Sequence, residues 1–282
     1  MSTIRGSKTF SFGPDGSLMG AITEPKCGMP QVGVILWGMG VAEIRAARAL
    51  AKLGFVGMQI KQNGKDWQPV LDDSGVSRCQ EAMTTLRSKC GVEQFVLMGN
   101  CGLGSICFNT AVDDPRVIGL IMTNPHVSEV LTLSESYKHK LSNWVFWRRV
   151  LSGRADLARH LANIRWLKAF IIGRLRGADD KALIAEFTYN KDFTLPDRLD
   201  ERLKALSSRG VNILIIFSQH DPSLLYFEKT FGKSFGRLRS VSTLSMDVLP
   251  TSSHLISDDD EAASMVADII ARWAEAARFA VS

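Results

Sequence analysis

The sequence contains no Cys-x-x-Cys pair, and its five cysteines, Cys27, Cys79, Cys90, Cys101 and Cys107, leave one over if paired. That usage fits reduced thiols better than a disulfide framework. No uninterrupted apolar run reaches the roughly 18 residues that suggest a membrane span. The opening stretch MSTIRGSKTFSFGPDG lacks the apolar segment of a secretory signal. The expected location is therefore cytoplasmic. The sequence shows no internal repeat, no metal-ligand cluster and no dinucleotide fingerprint, so no cofactor or metal is implied. It also lacks a recognised nucleic-acid reader motif, and no nucleic-acid partner is expected. A charge bias is nearly absent too: 34 basic and 29 acidic residues leave a formal +5 over 282 residues, so the placement of charge matters more than its total.

What the chain does have is a rhythm. Short apolar runs occur at 32–37 (VGVILW), 55–60 (FVGMQI), 95–98 (FVLM), 117–122 (VIGLIM) and, much later, 212–217 (NILIIF). Runs this short and rich in valine and isoleucine predict strands buried on both faces. Helix-like stretches at 42–53, 74–89 and 102–111 lie between them, and such alternation predicts an α/β fold with a mostly parallel sheet flanked by helices. A hairpin over 9–12 and 17–24, turning at Gly13-Pro14-Asp15-Gly16, would add antiparallel edge strands. The segment 259–279 has helical composition and closes the fold. Residues 126–197 break the rhythm, with aromatic and basic helical segments and no comparable strand. They read as a helical cap inserted into a core made of residues 1–125 and 198–282.

The most informative stretch is VLMGNCGLGS, in which a buried strand runs into Gly99-Asn100-Cys101-Gly102-Leu103-Gly104 and a helix follows. Small neighbours at such a turn let two backbones pass closely and let the residue at the tip protrude. The helix after the turn points its N-terminus, with its dipole and its N–H groups, at whatever forms there. The stretch resembles the nucleophile elbow, whose usual pattern is Gly-x-Ser-x-Gly. It departs from that pattern twice: Cys101 stands in the serine's place, and Leu103 stands where the second glycine is expected, with glycines at 102 and 104 instead. The other readings of such a turn are a buried small residue or a phosphate cradle, though no Gly-Lys-Ser/Thr comes after it. Cys107 is assigned to the helix and the core, and Cys79 and Cys90 to structural or incidental positions.

A nucleophile needs a base, and the base needs an orienting acid. The elbow resemblance implies the chain order nucleophile, acid, histidine. Asp221 follows the last strong strand in ILIIFSQHDPS, and His254 follows a further strand-like segment in LSMDVLPTSSHLIS. The candidate triad is thus Cys101, His254 and Asp221. His220 is the rival base and Asp247 the alternative acid. His139 and His160 fall in the basic cap. For the oxyanion hole, the resemblance implies the N–H of Gly102 and one from the loop Trp37-Gly38-Met39-Gly40, which is similar to a His-Gly-x-Gly segment with Trp37 in place of histidine; Met39 is the candidate second donor. Candidate pocket residues are Trp37, Asn100, His126, Trp144 and Trp147.

Over nearly its whole length the chain resembles the α/β-hydrolase superfamily. Within it, DDPRVIGLIMTNPHV, NWVFWRRVLSGRADL and SQHDPSLLYFE resemble hydrolases associated with exosortase systems and bacterial exopolysaccharide loci. Many relatives carry Asp-x-Arg-Gly-x-Gly-x-Ser after the third strand, where this chain has Lys61-Gln62-Asn63-Gly64-Lys65-Asp66. Dienelactone hydrolases and polyhydroxyalkanoate synthases also place a cysteine in this elbow. The resemblance implies a hydrolase or acyltransferase that attacks an ester or thioester, the acyl group being free or carrier-bound, through an acyl-cysteine intermediate. The competing reading is a non-catalytic protein of the same fold. Between Lys138 and Arg176 the cap holds ten Lys and Arg against a single acid, Asp156, interleaved with Trp144, Trp147, Trp166 and Phe170. Such a segment suits an anionic membrane surface or polymer, or, the favoured reading, an amphipathic cap that packs its aromatics on the pocket with its charges in water.

Overall fold

The computed structural model describes residues 9–13, 16–25, 28–62, 73–125, 199–219, 221, 223–224, 227–228, 243–251, 256, 259–277 and 279. The expected cap at 126–197 lies outside them. The described residues form eight strands: β1 Thr9–Phe12, β2 Leu18–Thr23, β3 Val32–Trp37, β4 Val56–Gln62, β5 Gln94–Asn100, β6 Val117–Thr123, β7 Asn212–Ser218 and β8 Leu244–Leu249. Five helices accompany them: α1 Val41–Lys52, α2 Asp73–Cys90, α3 Gly102–Asp113, α4 Leu199–Ser208 and α5 Asp260–Ala276.

The strands make one sheet in the order β1-β2-β4-β3-β5-β6-β7-β8. From β4 to β8 every pairing is parallel, and the β1–β2 hairpin joins antiparallel through β2 and β4. The apolar runs become strands because both faces of the sheet are covered. Along β3, Val34 and Leu36 pack with α1 and α5, while Ile35 and Trp37 pack with α2 and α3. The same period-two division runs through β5, where Val96 and Met98 face one cluster and Phe95 and Leu97 the other. Each fully buried Leu, Ile or Phe contributes on the order of 2 kcal/mol to such a core. α4 belongs to none of the helix-like stretches expected from the sequence. Its signal is Leu199, Leu203 and Leu206, whose spacing puts three buried leucines on one stripe against the α3 side of the sheet.

Two devices hold the helices in place. Arg45 of α1 forms an ion pair with Asp260 of α5 at 3.0 Å and also reaches Ser264. Arg209 donates to the carbonyls of Ala111, Val112 and Asp114 at 2.9, 2.9 and 3.0 Å, closing the C-terminal end of α3. No described helix is long and apolar enough to cross a membrane.

Candidate active site

The parallel strands end together at one edge of the sheet, and of the residues singled out from the sequence, Asn100, Cys101 and Asp221 follow or close those strand ends. Register sets this alignment: Asn100 of β5 pairs with Thr123 of β6, Thr123 with Ile216 of β7, and Ser218 of β7 with Leu249 of β8. In open α/β sheets this carboxyl edge is where ligands bind.

Cys101 occupies the single residue between β5 and α3, with φ 52° and ψ −128°. A non-glycine residue there carries a strain of about 1–3 kcal/mol and persists only when its surroundings impose it. They do so here. The Cys101 N–H donates to the Thr123 carbonyl at 2.9 Å, and the Cys101 carbonyl accepts from Gly104 N–H at 3.0 Å. The thiol-bearing residue is half-buried, whereas Gly102 and Leu103 beside it are buried. The side chain of Cys101, the N-cap of α3, makes no capping hydrogen bond, and the first turn of the helix holds no acid. Its leading N–H groups, Gly102 among them, lack intrahelical acceptors by construction.

The displaced glycine of the motif has a geometric explanation. A Cβ on Gly99 would stand 2.5 Å from the carbonyl carbon and oxygen of Leu103, so α3 lies backbone-to-backbone on the end of β5. A Cβ on Gly104 would come within 3.2 Å of the Gly99 carbonyl oxygen and touch Met122. The demand for small residues therefore falls on 99 and 104. Leu103 is only 8% exposed and its side chain joins the core. The departure at 103 leaves the elbow intact.

The β3–α1 loop sits beside this turn. Gly38 has φ 128° and donates to the Ile60 carbonyl at 2.9 Å, and a side chain there would strike the buried carboxyl group of Glu43. Gly40 is the N-cap of α1, and it too is without a side-chain cap among the described residues. Met39 lies between these glycines and is half-buried. Trp37 turns the other way. It is 7% exposed within the cluster under α2 and α3, and its indole nitrogen meets no hydrogen-bond acceptor among the described residues. Asn100 is half-buried beside Cys101, with its side-chain oxygen buried and likewise without a partner among the described residues.

Asp221 follows β7 and is 3% exposed. Its N–H donates to the Ser218 carbonyl at 3.0 Å, and its Oδ1 accepts from the Ser223 N–H at 2.8 Å, an Asx-type turn that fixes the carboxyl group. Asp247, the alternative acid, lies in the middle of β8 and is exposed. His254, which lies between β8 and α5 in the sequence, is outside the described residues, as are His220, His126, Trp144 and Trp147. That connection is anchored where it is described: Thr251 N–H donates to the Leu249 carbonyl at 2.8 Å, and Ile256 is buried.

The remaining described thiols take no part. Cys79 and Cys107 are fully buried between α2 and α3. Burial, together with the neighbouring Cys79 thiol, pushes Cys107 well above the ordinary thiol range. Burial and Glu24 raise Cys90. Among the described residues no cluster of His, Cys, Asp or Glu could hold a metal ion.

Sequence reasoning missed Asn124. It is fully buried directly after β6, with φ 42°, and its side chain bonds to both the backbone and the hydroxyl of Ser218. Asparagine's tolerance of left-handed backbone and its position before Pro125 at a strand end were the available signals.

No family model and no curated protein matches the chain. Solved structures do. Carboxyl esterase 2 of the fungus Tuber melanosporum superimposes with a TM-score of 0.57 at 15% identity, covering 98% of this chain and 89% of that one. Proline iminopeptidase of Mycobacterium smegmatis gives 0.52 at 18% identity, with 96% and 99% covered. Dienelactone hydrolase of Anabaena variabilis gives 0.52 at 12%, with the same coverage. Strand order, elbow and these superpositions agree that the chain has the α/β-hydrolase fold.

Proposed function

We propose that the protein is an enzyme of ester or thioester chemistry, a hydrolase or acyltransferase, with Cys101 as nucleophile, His254 as base and Asp221 as the acid that orients it. The observation that carries this reading is the backbone of Cys101. A left-handed cysteine held at the tip of a strand–helix turn, at the carboxyl edge of a parallel sheet, is strain that a purely structural residue would not need. The buried Asp221, just past the end of β7 and two strands from β5 in the sheet, supports it.

In the proposed cycle His254 takes the proton of the Cys101 thiol as sulfur attacks the acyl carbon. The N–H groups of Gly102 and Met39 hold the oxyanion. The tetrahedral intermediate collapses, the alcohol or thiol leaves with the proton from His254, and an acyl-cysteine remains. Water, or a hydroxyl or amine acceptor, then gives a proton to His254 and attacks the thioester, which returns the Cys101 thiol. A thioester intermediate suits transfer as well as hydrolysis. Likeness in sequence to exosortase- and exopolysaccharide-associated hydrolases favours a substrate from that setting. The aromatic and basic sequence of 126–197 supplies pocket candidates in His126, Trp144 and Trp147, and favours an acidic acyl carrier or a membrane surface as the source of the acyl group.

The test is a panel of aryl esters and acyl thioesters with mass spectrometry of the intact chain. An acyl adduct on Cys101 and complete loss of turnover in Cys101→Ala are expected. Full turnover by the alanine variant would remove Cys101 from the mechanism. The second reading, a non-catalytic binder of anionic surfaces, rests on the charge of 138–176. It predicts salt-sensitive sedimentation with anionic vesicles and no adduct.

A further inference from the structure

Among the described residues only two that are not glycine have positive φ, Cys101 and Asn124. They are linked. The carbonyl of Thr123 accepts the Cys101 N–H, and the next residue in the chain is Asn124. From there the Asn124 N–H donates to the Ile216 carbonyl at 2.8 Å. Its Oδ1 accepts the Ser218 N–H at 2.7 Å, and its Nδ2 donates to the Ser218 hydroxyl at 3.0 Å. Ser218 in turn holds Asp221 through its carbonyl. A run of hydrogen bonds, joined by the chain itself at Thr123–Asn124 and at Ser218, thus passes from the proposed nucleophile to the proposed acid. Every side chain in its interior is buried: Thr123 is 3% exposed, and Asn124 and Ser218 are fully covered.

The chemistry fits a clamp. β7 ends at Ser218; beyond it the Gln219 N–H still bonds the Leu249 carbonyl of β8 at 2.8 Å, but among the described residues no strand pairing reaches Asp221. Asn124 extends the β6–β7 pairing by one residue by presenting an amide side chain where a further strand residue would present a peptide group. A buried asparagine with donor and acceptor both engaged has one orientation and cannot be replaced without leaving a buried group unsatisfied. The left-handed backbone aims the side chain back at its neighbouring strand, and that accounts for strain at a position with no nucleophile.

We infer that Asn124 is a positioning residue that couples the Cys101 turn to the Asp221 turn. This inference rests on the proposed triad. Coupling is read from a double-mutant cycle on the rate at which iodoacetamide alkylates Cys101, followed at peptide level, which needs no knowledge of the substrate. In the unsubstituted protein, Asp221→Asn slows alkylation on the order of tenfold. Asn124→Gly keeps the left-handed backbone, removes the clamp, and slows it to a similar extent. In the Asn124→Gly background, Asp221→Asn then changes the rate by less than about twofold. A merely structural role would leave the Asp221→Asn effect the same size in both backgrounds, and that result overturns the inference while the triad stands. If neither Asp221→Asn nor His254→Ala alters alkylation in the unsubstituted protein, the triad reading fails and the inference falls with it. Should Asn124→Gly not fold, Ser218→Ala, which deletes the hydroxyl to which the Asn124 Nδ2 donates, takes its place. It is expected to shrink the Asp221→Asn effect part of the way, and no change in that effect overturns the inference.

Discussion

The N-termini of α3 and α5 begin with the same problem and solve it in opposite ways. Each starts with backbone N–H groups that have no intrahelical acceptor. At α5 the chain satisfies them itself. Asp259 lies in relaxed extended backbone, its carboxylate accepts from the N–H groups of Glu261 and Ala262 at 3.1 Å each, and Asp260 and Glu261 add negative charge to the first turn. At α3 the N-cap is Cys101, in strained backbone; its side chain makes no capping hydrogen bond, and the first turn holds no acid. One end is finished for stability, and the other is left electropositive. The opposite end of α3 is not neglected, since Arg209 covers its last carbonyls. The unfinished end is therefore local to the elbow, and an incoming oxyanion would supply what Asp259 supplies at α5.

Glycine at 101 should break this contrast most sharply. Cys101→Gly releases the left-handed strain, so thermal unfolding should show a protein as stable as the parent or more stable by about 1 kcal/mol. Turnover on any accepted ester should nonetheless fall by at least about a thousandfold. A glycine variant that is both less stable and still active would mean that the strain serves the fold. Next in size is Gly99→Ala, which pushes a methyl group into the backbone of Leu103. Denaturant titration should show a loss of about 3 kcal/mol, and with it loss of Cys101 alkylation selectivity, because α3 must move off β5. Asp259→Ala removes a cap that α3 never had, and should cost about 1 kcal/mol. Asp259→Asn or Asp259→Ser should restore most of it.

The smallest effect concerns acid. The Arg116 guanidinium donates to the Asp114 carboxylate at 2.9 and 2.6 Å and holds its pKa below the usual carboxylate range, assisted by the Arg116 N–H at 3.0 Å. A carboxyl group depressed in the folded state stabilises it at pH above the unfolded value of about 3.9, and that contribution disappears as pH falls through the folded value. Asp114→Asn should therefore be less stable than the parent at neutral pH, with the gap closing below roughly pH 4 in acid-unfolding curves. A gap that persists at low pH would mean that the hydrogen-bond geometry, not the charge, matters there.

The strands were legible because their information is local. Runs such as VGVILW and NILIIF are apolar on both faces, and only a sheet covered on both sides buries them, which is what α1 and α5 on one side and α2, α3 and α4 on the other provide. Cys101 was legible for the same reason, since a strand, a tight glycine-rich turn and a helix succeed one another without interruption. The order β1-β2-β4-β3-β5-β6-β7-β8 turns that local pattern into an edge where six parallel strands end.

Other features depend on what lies next to what. Whether 103 or 104 must be small is decided by how closely α3 rides on Gly99, a distance no spacing rule contains. Trp37, next to a candidate oxyanion loop in sequence, is carried by strand alternation into the core on the α2 side. Asn124 and Ser218 are 94 residues apart and meet only because β6 and β7 are neighbours. By itself, then, the sequence determined the strands, most of the helices, the fold class and the glycine-rich turn at Cys101, because hydrophobic period and backbone sterics act over a few residues. Tertiary structure alone decided which strand ends converge, which glycine carries the close contact and which buried amide joins the two turns. Those depend on packing and on satisfying buried polar groups between segments far apart in the chain.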